Sequence, residues 1–275
     1  MSNANHSIPD SLPKKSPGPE VLQRCDVCGG ARQLRLTLGN ASWTVACNCS
    51  CGEQQLQQRR EALRRQEELD RIARLRTAGI ADPKLRRQTF ASSEYQTRML
   101  QIARNYVHQW PHMEARSQGL LFWGPCGTGK TYAAACIANA LTDQGIPVLM
   151  SSLGQLLGAL PGISSGQQTE IIHNWMQHSL LVIDDLGSER DTPYASDLVY
   201  QIIDARYRSG KPLIVTTNLT LEELENPGSR DRERIYQRVL ERCTPVFSNE
   251  QPIRDIRKKE NLEYGRKWLT QQDAG

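Results

Sequence analysis

The chain has 275 residues, 38% of them hydrophobic and 23% charged, with 34 Lys and Arg against 30 Asp and Glu for a net charge of +4. That length suits one large domain, or one domain with a small appendage, and the composition stops short of the low-hydrophobicity, high-charge range of disordered chains. No apolar run approaches the roughly 18–20 residues of a membrane span, and the small charge surplus leaves any attraction to nucleic acid to the arrangement of the charges.

Residues 1–20 are rich in Pro, Ser, Asn and Lys, with no apolar stretch of the signal-peptide kind, and read as a tail. A reducing, cytoplasmic setting is therefore expected, where clustered thiols read as metal ligands rather than disulfides. Five of the eight cysteines crowd the first fifth of the chain: Cys25, Cys28, Cys47, Cys49 and Cys51. Cys25-x-x-Cys28, an 18-residue gap and Cys47-x-Cys49-x-Cys51 suit a zinc-ribbon-like module over residues 21–52. In such a module a Cys-x-x-Cys turn and a second pair across a hairpin present four thiolates to Zn2+. Three thiols compete for the second pair's two places, and free thiols or a redox cluster are the alternative. The hairpin itself is read in Leu34–Leu38 and Ser42–Ala46, which alternate with period two around Gly39-Asn40. Residues 53–79 form a linker: Glu53–Arg76 holds strong helix formers and no Gly or Pro, and Thr77-Ala78-Gly79 ends it. Its apolar positions keep no heptad, and seven Arg stand against five acids. A solvated helix fits that pattern, with a coiled coil or a nucleic-acid-binding helix as the alternative.

From residue 80 to 275 the pattern alternates strand-like apolar runs with helical stretches. Gly119–Gly124, Pro147–Ser152, Leu180–Asp185 and Pro212–Asn218 are the runs, and Lys130–Gln144, Leu153–Leu160, Thr169–His178 and Ser196–Ser209 are the helices between them. Strands apolar on both faces and separated by helices predict an α/β domain, a parallel sheet with helices on both faces. Arg230–Trp268 reads as largely helical and basic.

Gly124-Pro125-Cys126-Gly127-Thr128-Gly129-Lys130-Thr131 matches G-x-x-x-x-G-K-[ST] directly after one predicted strand and at the start of a helix. This is a P-loop. Its glycines let successive N–H groups face phosphates, Lys130 reaches the β and γ oxygens of ATP, and the Thr131 hydroxyl can ligate Mg2+. Cys126 occupies a permissive position. Asp184 and Asp185 end an apolar strand 54 residues after Lys130. On a strand beside that of the P-loop, Asp184 would hold Mg2+ and Asp185 would orient or deprotonate the attacking water. Asn218 ends the next strand, where its carboxamide can bond the γ-phosphate or the lytic water, or cap the helix that starts near Leu221.

Taken together, GPCGTGKT, LLVIDDLGSE, LVYQIIDARYRSGKPLIVTTNL and RERIYQRVLERC resemble the AAA+ ATPases of the DnaC/DnaI helicase-loader group, with the transposition ATPase IstB a close relative. The resemblance covers roughly Ile80 to Lys259. It implies a P-loop NTPase domain that hydrolyses ATP between subunits of a homo-oligomer, contacts single-stranded DNA and places a replicative hexameric helicase on it. It also implies sensor 1 at Asn218, an arginine finger at Arg238 and a sensor 2 arginine at Arg254. At the finger, Gln237 stands where the family more often has Asp. The resemblance favours Cys47 and Cys49 as the second zinc pair, with Cys47 and Cys51 next. Two other functions stay open: an IstB-like transposition ATPase on duplex DNA, and a zinc-containing DNA-binding adaptor with negligible turnover.

Overall fold

The computed structural model describes residues 18–93, 96–189, 192–248, 258–259 and 261–266, and the chain divides between Leu69 and Asp70 into two compact units. In the first unit β1 (Glu20–Arg24), β2 (Ala31–Leu38) and β3 (Ala41–Ala46) form an antiparallel sheet in that order. The expected hairpin is β2–β3, with Leu34 opposite Val45 and Leu36 opposite Trp43. β1 adds a third strand on the far side of β2, which the two-stranded reading did not include. Helix α1 (Ser50–Gly79) follows, starting at Ser50 instead of Glu53 and so drawing Cys51 into its first turn.

The last turns of α1 belong to the second unit. There Arg71 donates to the Gly145 carbonyl at 2.9 Å, and Arg76 pairs with Asp143. A Cβ added at Gly79 would sit 1.9 Å from the Val148 carbonyl oxygen, so the backbone approaches the sheet where the predicted terminator lies.

Five parallel strands build the second sheet: β4 (Gly119–Trp123), β5 (Val148–Ser152), β6 (Leu180–Leu186), β7 (Leu213–Thr217) and β8 (Cys243–Phe247), in the order β5-β6-β7-β4-β8. Four of them stand where the apolar runs predict. Two features differ from the sequence reading. The carboxylate strand β6 is not beside β4, because β7 lies between them. And β8 falls in a stretch read as helical. Helix α9 (Arg230–Arg242) gives way to Cys-Thr-Pro-Val-Phe, in which Pro245 cannot continue a helix and is tolerated on an edge strand.

Helices α2 (Arg98–His108), α3 (Trp110–Ala115) and α4 (Lys130–Asp143) cover one face of the sheet. The other face carries α5 (Leu153–Gly158), α6 (Ser165–Met176), α7 (Pro193–Ser209), α8 (Leu221–Glu225) and α9. Along β4 the side chains alternate between the two cores, Leu120 and Phe122 into the first and Leu121 into the second, which is why the run is apolar throughout. Because β4 leads to the far edge β5 on one side while β8 flanks it on the other, the strand order reverses at β4, and the crevice at its C-terminal end is where an open α/β sheet takes ligands.

Arg206 on α7 is 1% exposed, and its guanidinium donates to the carbonyls of His178, Ser179 and Pro212 at 2.5–3.0 Å. It therefore ties the segments that enter β6 and β7, and burial pulls its pKa down to about 9, which leaves it charged at neutral pH. Replacing Arg206 by Met strands those buried carbonyls, so we expect a loss of about 3–5 kcal/mol of stability, read as a lower urea midpoint at unchanged slope.

Candidate functional site

At the end of β4 the chain turns through Gly124, Gly127 and Gly129, with φ of +129°, +86° and +95°, values that side chains rarely adopt. α4 starts at Lys130, so the loop's N–H groups and the helix N-terminus share one crevice. Lys130 is 7% exposed. Its Nζ donates to the carbonyls of Gly124 and Pro125 at 2.8 and 2.7 Å and to Asn218 Oδ1 at 2.9 Å. The Asn218 amide in turn donates to Asp185 Oδ1 at 3.0 Å. Asn218 is not the helix cap: Thr220 caps α8 in a reciprocal box with Glu223, which leaves the carboxamide to the crevice.

Asp184 Oδ1 accepts the Thr131 hydroxyl at 2.8 Å and the Thr216 hydroxyl at 2.6 Å. Burial pushes its pKa above the usual carboxylate range. Thr216, on the intervening strand β7, also accepts the Asp185 N–H at 2.9 Å. It thereby bridges the strand that the sequence reading left out of place, and it is the site residue that reading missed. Its only mark in the sequence is a polar residue inside an apolar run. Asp185 has φ +64°, a strained value for a residue other than glycine, and it falls where the β6–β7 register slips. Glu189 accepts the N–H of Gly187 and closes its own turn. A cavity of about 810 Å3 spans Lys130, Thr131, Asp184, Asp185 and Asn218 and extends to Gln88, Met99 and Leu100.

Two of the arginines meet different fates. Arg238 donates to Asp204 at 2.6 Å and to the Tyr200 hydroxyl at 3.1 Å, with its guanidinium over the Tyr200 ring at 4.8 Å. It is thus held within its own chain, on α9 against α7, and does not line the crevice. Arg254 lies outside the described residues.

In the first unit the thiols of Cys25, Cys28, Cys49 and Cys51 all lie within 4.8 Å of one another. Cys51 Sγ stands 3.4, 3.4 and 3.3 Å from those of Cys25, Cys28 and Cys49. A tetrahedral zinc with bonds of about 2.3 Å spaces its sulfurs about 3.8 Å apart, so the four fit that ion. Cys47 is not among them, contrary to both pairings favoured from the sequence. It extends the β3 ladder, its N–H on the Arg32 carbonyl at 2.9 Å, and its thiol donates to the Ala31 carbonyl at 3.2 Å. The early start of α1 supplies Cys51 in its place. The Gly30 N–H, foremost, pulls the Cys28 thiol down to about 6, while the neighbouring thiols, led by Cys49, push Cys51 up to about 12. A Cβ at Gly30 would stand 2.9 Å from that of Cys49, so the knuckle closes only around glycine.

A family model for IstB-like ATP binding proteins matches residues 31–261. The chain belongs to that family. Within it, the chain is 30% identical over 134 residues to the replicative helicase loader DnaC of Escherichia coli K12, a match covering 48% of this chain and 54% of DnaC. The chain thus spans about half the length of the curated relatives it matches. Among solved structures, that of the DnaC helicase loader aligns with TM-score 0.54 and 24% identity over 61% of this chain and all of that one. The DnaI structure aligns with TM-score 0.52 and 21% identity over 62% of this chain and 95% of that one. These likenesses agree with the AAA+ fold expected for an ATP-binding member of the IstB-like family. No helix among the described residues is long and apolar enough to cross a membrane.

Proposed function

We propose that the chain is an ATP-hydrolysing DNA replication protein that loads a replicative hexameric helicase onto single-stranded DNA. The chemistry rests on one observation above all, the hydrogen-bonded run from Lys130 through Asn218 to Asp185 at the mouth of a P-loop. The choice of a loader rests on the similarity to DnaC.

In this reading Lys130 turns from the loop carbonyls to the β and γ oxygens of ATP. Asn218 directs one amide N–H to the γ-phosphate while the other keeps Asp185 oriented. Asp185 aims the attacking water and accepts its proton. Thr131 and Asp184 would hold Mg2+, which neutralises phosphate charge when bound; their hard oxygen donors, already hydrogen-bonded to each other, suit that ion. Cys25, Cys28, Cys49 and Cys51 would hold a structural Zn2+, which cross-links the first unit when bound. The ATP site is shared between copies of the chain, and α9 supplies the trans-acting arginine. For Arg238 to serve, it must leave Asp204 and Tyr200. Arg254 would contact the nucleotide as sensor 2.

Capture of the tagged full chain from its host in the presence of ATP and Mg2+ tests the loader reading. Recovery of a replicative helicase, weakened about tenfold or more by Cys51→Ser, supports it. Recovery of a transposase would replace it with the IstB-like reading.

A further inference from the structure

In a regular β-strand successive side chains point to opposite faces. Asp184 and Asp185 are neighbours on β6, yet both line the P-loop cavity. Asp184 accepts the Thr131 hydroxyl at 2.8 Å, and Asp185 accepts the amide of Asn218 at 3.0 Å. The backbone explains how both reach one side. Between the pairs Ile183–Val215 and Leu186–Thr217, β6 advances three residues while β7 advances two, so Asp184 and Asp185 together stand opposite Thr216. That is a β-bulge, a device that re-aims side chains beside a site. Its second residue, Asp185, takes φ +64°, and among the described residues Ser117 alone shares a positive φ without being glycine.

Glycine adopts that conformation at no steric cost, so an aspartate there needs its surroundings to hold it. Three contacts do so. The Asp185 N–H donates to the Thr216 hydroxyl at 2.9 Å, its carbonyl accepts the Ser188 hydroxyl at 2.7 Å, and its carboxylate accepts from Asn218. Of these partners, Thr216 also reaches the first carboxylate, donating to Asp184 Oδ1 at 2.6 Å. A hydroxyl has one proton to give and lone pairs with which to accept, and Thr216 uses both on the two residues of the bulge. Its burial, at 1% exposure, keeps solvent from competing for these bonds.

We propose that Thr216 is the positioning residue for the attacking water. Its hydroxyl fixes the bulge that turns both carboxylates of β6 into one crevice, and so sets the line along which Asp185 presents that water to the γ-phosphate. It touches no reacting atom itself. The role rests on the reading of the crevice as an ATPase site, and adds to it the group that holds the two carboxylates in place.

The test compares, in the full-length protein at saturating Mg2+, binding of ribose-labelled ATP, kcat for phosphate release and the urea midpoint. Thr216→Ser and Thr216→Ala both lose the buried methyl and differ by the hydroxyl alone. The serine variant is expected to keep kcat within about threefold of wild type and the alanine variant to lose about 10- to 100-fold, while both bind labelled ATP within about threefold of wild type. Binding of the labelled nucleotide shows that they fold. Thr216→Val, which fills the same space without the hydroxyl, should lose turnover as alanine does, and it carries the comparison with serine if the alanine variant does not fold. Equal kcat with and without the hydroxyl overturns the assignment. The backbone is tested apart from turnover: Asp185→Gly is expected to unfold at a higher urea midpoint than Asp185→Ala, because the left-handed conformation favours glycine over alanine. The opposite order removes the bulge geometry and the proposal with it. If wild type releases no phosphate, or releases it as fast after Lys130→Ala, the ATPase reading fails and takes this one with it, whatever the midpoints.

Discussion

Phosphate release by the Lys130→Ala chain is expected to fall by about two to three orders of magnitude below wild type, with single-stranded DNA and Mg2+ present. Lys130 has two tasks in this geometry. Toward the loop, its ammonium gathers the carbonyls of Gly124 and Pro125 at 2.8 and 2.7 Å, which keeps the turn curled. Toward the sheet, it holds Asn218 at 2.9 Å, and Asn218 holds Asp185 at 3.0 Å. Removing it takes away the charge that would meet the β and γ oxygens and also frees the carboxamide that orients the second carboxylate. Asn218→Ala cuts only the second link, so a milder loss of about tenfold in kcat with little change in KM is expected. The double variant should lose less than the product of the two single losses, because both act through one hydrogen-bonded run. Folding is a separate matter. Lys130→Ala gives up bonds but also sheds a buried ammonium, so the urea midpoint should move little and the lost turnover reports on chemistry. Lys130→Ala protein that releases phosphate as fast as wild type would end the ATPase reading.

Why some of this site was legible in the sequence and some was not follows from how far each contact reaches along the chain. The P-loop is contiguous: eight residues carry both the turn and the groups it presents, so spacing alone identifies it. The strand Leu180–Leu186 was legible for a similar reason, since burial on both faces forces an apolar run that ends where the carboxylates begin. Strand order was not. That β7 separates β4 from β6 depends on pairings between residues about 30 to 90 positions apart, such as Leu120 with Ile214 and Val182 with Ile214. Thr216 takes its role from that order, and nothing local marks it as more than a Thr in a strand. Asn218 left two readings open in the sequence, and Thr220 decided between them by taking the cap. β8 was hidden because Arg-rich flanks on both sides of Cys243–Phe247 suggested one long helix, while the pairing that makes it a strand lies across the sheet on Gly119–Trp123.

The largest structural effect is expected in the first unit, where Cys51→Ser should abolish zinc retention and unfold the module while Cys47→Ser leaves both intact. The reason is the lack of any other core. Among the described residues of that unit, the buried hydrophobic positions are Cys25 and Cys49, each 5% exposed, and both belong to the thiol tetrad. Val27, Leu38 and Trp43 stay 85%, 74% and 46% exposed, so the sheet has little apolar burial with which to offset the entropy of ordering its chain. Four thiolates around zinc supply that stability instead, on the order of 10–16 kcal/mol in small modules at neutral pH. Serine at position 51 removes a sulfur that stands 3.3–3.4 Å from each of the other three. Serine at position 47 costs a single weak bond to the Ala31 carbonyl, on a strand whose backbone ladder remains. The measurements are zinc per chain on the purified full-length proteins and the rate of tryptic cleavage at Arg32 and Arg35, with chelator-treated wild type as the reference for the metal-free state. Wild type and Cys47→Ser should each retain about one zinc and resist cleavage, and Cys51→Ser should match the chelated protein. The reverse result, with zinc lost from Cys47→Ser and kept by Cys51→Ser, would restore the pairing read from the sequence and require α1 to begin after Cys51.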